Sequence, residues 1–87
     1  EAFTLKILCR ALLLIFKDEG ETDTGKADVF VDGHYKMTAD PRINGWIHCN
    51  AVILFSETES REHIVEILPA PGEEKKKFTI LGFGYVL

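Results

Sequence analysis

An all-β fold, a two-layer antiparallel β-sandwich of jelly-roll type with about six strands, is what this sequence predicts, and three observations predict it. Period-two alternation runs through "ADVFVDGHYKMTAD" on both sides of an Asp-Gly pair. Short β-branched or aromatic segments recur along the rest of the chain. The stretches between them are polar or rich in Pro and Gly, which is turn and loop chemistry. Strands joined in this way bury one face each, and two sheets packed face to face satisfy that need.

The opening run "LKILCRALLLIF", Leu5 to Phe16, reads two ways. Leu5, Leu8, Leu12 and Ile15 make a helical stripe from good helix formers. As a strand, its odd positions Leu5, Ile7, Cys9, Ala11, Leu13 and Ile15 form one apolar face, with Lys6 and Arg10 opposite. The strand reading is preferred because the apolar face is unbroken. "KDEGETDTG" follows as an exposed acidic loop. The hairpin comes next: Val29 and Val31 alternate with Asp28, Phe30 and Asp32, and Tyr35, Met37 and Ala39 alternate with His34, Lys36 and Thr38. Asp32-Gly33 between the arms suits the positive φ angles of a type I′ turn. "CNAVILF" (Cys49 to Phe55), "EHIVEIL" (Glu62 to Leu68) and "KFTILGFGYVL" (Lys77 to Leu87) complete the strands, with "SETESR" and "PAPGEE" as loops between them.

Composition narrows the function. The chain has 87 residues, 46% hydrophobic and 28% charged, which fits a single domain with one core over residues 1–87. Fourteen acids against ten bases give a net charge of −4, a sign that opposes binding to a phosphate backbone. The one basic run, Lys75 to Lys77, directly follows Glu73 and Glu74 and reads as a solvated turn. The most apolar segment is twelve residues with Lys6 and Arg10 inside it, below the ~20 a membrane helix requires. Neither nucleic acid nor membrane is therefore expected as a partner. The first residue is Glu1 and the last segment is apolar, from which a domain excised from a longer protein is expected.

Catalytic signatures do not emerge from the sequence. It contains no G-x-S-x-G elbow, S-x-x-K, P-loop or H-E-x-x-H. Its serines, Ser56 and Ser60, lie in a polar stretch. Ser60, Glu62 and His63 are close in sequence, but neighbouring side chains on a strand point to opposite faces, whereas a nucleophile and its base must converge. His34, His48, His63, Cys9 and Cys49 lack the close spacing of common structural zinc sites, so no metal and no cofactor is expected. Cys9 and Cys49 fall on the apolar faces of their strands, as buried free thiols do, and a disulfide would require their Cα atoms within about 7 Å.

The candidate binding residues cluster around "DPRINGWIHCN", residues 40–50. Asp-Pro and Asn-Gly structure the backbone there, so Trp46 rides on a fixed platform. An inward indole plugs the open end of the sandwich. An outward one, flanked by Arg42 and Asn44 and helped by Tyr35, offers a surface on which a sugar or acyl group stacks.

The ordered series "GKADVFVDGHYKMTAD", "NGWIHCNAVILF", "EHIVEIL" and "KFTILGFGYVL" resembles the small β-sandwich module appended to bacterial SGNH/GDSL-type acyl esterases of carbohydrate-degrading organisms. The likeness covers residues 25–85 and, loosely, the opening strand. It implies a non-catalytic accessory module that docks on an SGNH/GDSL-type catalytic domain of the same chain in a bacterial protein, and it leaves the compartment open between secreted and not. It carries no catalytic residue onto this sequence, since the hydrolase nucleophile and its partners have no counterpart here. The alternative is a carbohydrate-binding module that uses Trp46 as a stacking platform, with polysaccharide as the partner.

Overall fold

The computed structural model describes residues 3–18, 24–41 and 49–87. Five strands make up the fold: β1 (Phe3–Lys17), β2 (Ala27–Val31), β3 (His34–Ala39), β4 (Cys49–Pro69) and β5 (Ile80–Val86). The chain is all-β among the described residues, as the alternation indicated. All five strands belong to one antiparallel sheet in the order β3-β2-β4-β1-β5. Six strands in two separate sheets were expected. The count differs because "CNAVILF" and "EHIVEIL" are two ends of the single strand β4, which runs unbroken through "SETESR".

One sheet forms a core by bending. A straight strand of β4's length would reach roughly 70 Å at ~3.3 Å per residue, yet the longest dimension of the molecule is 40 Å. The bend is written into the register. From Cys9↔Arg61 to Ala11↔Ser56, two steps along β1 correspond to five along β4, and a second irregularity between Leu12 and Leu13 places the buried Leu54 in the longer strand. Such extra residues kink a strand and increase its twist. The two halves thereby face each other. Phe3 at the start of β1 stacks on Phe83 of β5, the register partner of Leu14, with ring centroids 5.8 Å apart. Cys9, Leu12, Leu14, Phe16, Val29, Leu54, Val65 and Ile67 all join one buried cluster.

The same irregularity corrects the expected apolar face of the first strand. Cys9 is buried, but beyond it the buried positions are Leu12, Leu14 and Phe16, not Ala11, Leu13 and Ile15. An interval of three residues between Cys9 and Leu12 breaks the period of two, so the inward phase changes at Arg10 and Ala11. Cys49 is corrected likewise. It shares an outward phase with Ala51 and Ile53, is exposed, and pairs with Lys17 at the far end of the ladder from Cys9. Both thiols are free; eight residues of β1 separate the two ladder positions, roughly 26 Å of strand.

The remaining connections follow local chemistry. Asp32 and Gly33 adopt φ of 52° and 82°, the consecutive left-handed pair that a type I′ turn requires. The segment between β4 and β5 folds back over the entry to β2: Gly25 N–H donates to the Lys77 carbonyl at 3.0 Å, and Ala70 N–H to that of Lys26 at 3.0 Å. Gly25 has to be glycine here, because a Cβ would lie 2.7 Å from the Cβ of Lys76. The last strand starts at Ile80 rather than Lys77: Lys77 gives its carbonyl to Gly25, whereas Thr79 accepts from Lys17 at the end of the β1–β5 ladder.

Gly33→Val is expected to destabilise the chain by roughly 1–3 kcal/mol, the cost of a left-handed conformation for a branched residue. Urea unfolding checks it: the midpoint should fall at constant slope. An unchanged midpoint would mean that the turn readily adopts another type.

Candidate functional site

The bend gathers the most concentrated set of charged side chains described. His63 sits on β4 just past the inserted residues, 1% exposed, with its ring against Phe55 at a centroid distance of 4.1 Å. Its Nδ1 lies 2.6 Å from Oδ2 of Asp32 in the β2–β3 turn, and its Nε2 lies 2.9 Å from Oε1 of Glu57 in the inserted segment. Arg61 covers the group from outside, 3.2 Å from Glu57 and 3.8 Å from Asp32. Asp32 also accepts the Ile64 N–H on Oδ1 at 2.9 Å, while its own N–H donates to the Ile64 carbonyl at 2.8 Å. One aspartate thus locks the hairpin turn onto β4 by backbone and side chain together.

Each carboxylate is shifted by these neighbours. The Ile64 N–H, with His63 and Arg61, holds the Asp32 carboxyl below its ordinary range against the opposing effect of burial. Glu57 is held down by the hydrogen bond from His63 and then by that from Arg61. Cys9, the register partner of Arg61, has its thiol pushed up, chiefly by burial.

The chemistry of the cluster follows from its bonds. Both ring nitrogens of His63 face carboxylates, so neither is left to take a proton from a hydroxyl; Ser60 is exposed. No group of three or more His, Cys, Asp or Glu is placed to hold a metal among the described residues. Beside the cluster lies an open groove of about 530 Å³, lined by Tyr35, Lys36, Glu57 and Arg61 among others.

Of the sequence-derived binding residues, Tyr35 stands on β3, 60% exposed. Its orientation is fixed. Thr38 gives its hydroxyl proton to Asp28 at 2.7 Å and so accepts from the Tyr35 hydroxyl, also at 2.7 Å, while the ring meets Phe30 edge-on. Trp46, Arg42 and Asn44, like His48, lie outside the described residues. Sequence reasoning missed Asp32 and Glu57 as partners of His63. The available signal was parity: Glu57, Arg61 and His63 are odd-numbered positions of one segment, which a strand sets on one face.

A second surface lies at the other end of the sheet. Across β4, β1 and β5 the outward register rows Ser56-Ala11-Val86, Ile53-Leu13-Gly84 and Ala51-Ile15-Gly82 hold no charge, and the next outward row, Cys49-Lys17, brings the first. Ile53 is 69% exposed, and Gly84 leaves an apolar groove of about 350 Å³ over Leu13. The edge of β5 beyond it pairs with no described strand. Searches of protein families, curated proteins and solved structures find no match for this chain.

Acid is expected to weaken the fold through Asp32 and Glu57. Because folding lowers both pKa values, the unfolded chain takes up protons first as pH falls through about 4, and the stability these groups contribute above that range is lost below it. Asp32→Asn should be less stable than wild type at pH 7 and show a shallower decline towards pH 3. Urea unfolding across this range checks it, and parallel curves would remove Asp32 from the account.

Proposed function

We propose that the chain is a non-catalytic accessory module that docks through the outward face of β4, β1 and β5. The observation that carries this reading is the pairing of three continuous apolar runs with a cover on one side only. "ALLLIF", "AVILF" and "ILGFGYV" are adjacent strands, and runs of this kind belong to strands covered on both faces. Leu12, Leu14 and Phe16 supply the inward cover; Leu13, Ile15 and Ile53 await an outward one. An uncharged, proline-free edge at β5 adds backbone groups that natural sheets ordinarily protect.

The resemblance of the sequence to esterase-appended modules supplies the partner: an SGNH/GDSL-type catalytic domain of the same polypeptide. The 87 residues then stabilise and position that domain and take no part in bond cleavage. A fixed, exposed Tyr35 favours a second reading, in which the β2–β3 hairpin contributes a stacking surface for polysaccharide.

Ile53→Lys is the discriminating substitution. It should change the stability of the isolated chain by no more than about 0.5 kcal/mol, as exposed sites do, and abolish association with the catalytic domain encoded beside it, measured by calorimetry. Full binding by the variant, or a gene with no such domain, overturns the docking assignment. The isolated chain should not hydrolyse acetyl or feruloyl esters; turnover lost on Ser60→Ala or His63→Ala would show the opposite. Retention on a xylan column that disappears with Tyr35→Ala would favour the second reading.

A further inference from the structure

We propose that His63 is a proton-operated clamp: protonated on both ring nitrogens it ties the β2–β3 turn to the bend of β4, and loss of one proton releases that tie. The geometry demands two donors. Asp32 Oδ2 at 2.6 Å and Glu57 Oε1 at 2.9 Å stand on opposite sides of the ring, and ionised carboxylates only accept. A neutral imidazole has one N–H, so its bare nitrogen would set a lone pair against a carboxylate oxygen, on a ring that is itself only 1% exposed.

Charge balance points the same way. Asp32 and Glu57 bring two negative charges and Arg61 one positive; the imidazolium makes the group neutral. From the other elements packed around it, β1 contributes the buried thiol of Cys9, and β3 contributes His34 and Lys36 along the adjoining groove. Loss of the proton leaves a net negative charge beneath Phe55 and removes one of two charge-assisted hydrogen bonds. The tie that gives way joins separate elements. Asp32 fixes the turn and caps the Ile64 N–H, whereas Glu57 belongs to the inserted residues that make the bend.

The experiment is ring-nitrogen NMR of the whole labelled chain from pH 5 to 9, with amide exchange of Ile64 measured in parallel. Both ring nitrogens of His63 should be protonated at the acid end. As one proton is lost, exchange at the Ile64 amide, corrected for its intrinsic pH dependence, should accelerate by roughly tenfold or more, the scale of one charge-assisted hydrogen bond. Glu57→Gln should move the ring transition to lower pH, since an amide accepts from the ring without favouring its charge and can also donate to a bare nitrogen. A ring with a single proton throughout, Ile64 exchange that follows only its intrinsic pH dependence, or an unmoved transition in Glu57→Gln overturns the clamp. If the variant fails to fold, the two wild-type measurements decide.

Discussion

The unequal lengths of β1 and β4 govern this structure. Fifteen residues lie against twenty-one, and the surplus in β4 is taken up where Glu57 to Ser60 have no direct register partners in β1. A sheet of equal strands would lie open with one face in water. Surplus in one strand bends the pair, and the bend allows one sheet to supply both walls of its own core. Phe3 can then reach Phe83, and Val29 and Val65 from one half can share a cluster with Leu14 and Phe16 from the other. Asp32, Glu57 and His63 fasten that bend to the neighbouring hairpin.

Why a charged group should do this is a question of specificity. Enclosing the His63 ring between two carboxylates is a less obvious choice than apolar packing, since apolar residues of similar size often replace buried ionic groups without loss. Apolar packing at a bend, however, tolerates neighbouring registers, because greasy contacts have no direction. Asp32 reads three positions at once: the Ile64 N–H, the Ile64 carbonyl through its own N–H, and His63 Nδ1. A slip of β2 by one residue would break all three, and would turn Val29 from the core to solvent. The cluster therefore sets register where hydrophobicity alone would leave it loose.

The hairpin was legible in the sequence because its two signals are local: period-two alternation and an Asp-Gly pair suited to positive φ. What failed was inference across the bend. "SETESR" reads as a loop because its side chains are polar, but polarity reports contact with water, and ladder bonds are made by backbone that exposed residues keep. The inward phase of β1 was misread for a related reason. Its run from Ala11 to Phe16 is apolar at every position, so no alternation remains to show that the phase has changed at Arg10. The candidate site suffered from distance: Asp32 and His63 are 31 residues apart, and their meeting depends on a pairing of β2 with β4 that no local pattern announces.

The outward surfaces of the two halves differ in a way that composition does not explain, since β1 and β4 contribute to both. Before the bend, the outward rows of β1 and β4 hold Thr4 with Glu66, Lys6 with Ile64 and Leu8 with Glu62, and Lys6 pairs with Glu62 at 3.7 Å. Charged groups break up the exposed Leu8 and Ile64 there. After the bend, Leu13, Ile15, Ala51 and Ile53 stand together without a charge, bordered by glycines of β5 that keep the surface low. A merely greasy sequence would spread its apolar residues over both halves. The change of character falls at the bend, within the same two strands, and the proposed docking face rests on that division. Gly84 fits that division: a Cβ there would lie 3.6 Å from the Cβ of Leu13 and narrow the groove over it without adding to the core.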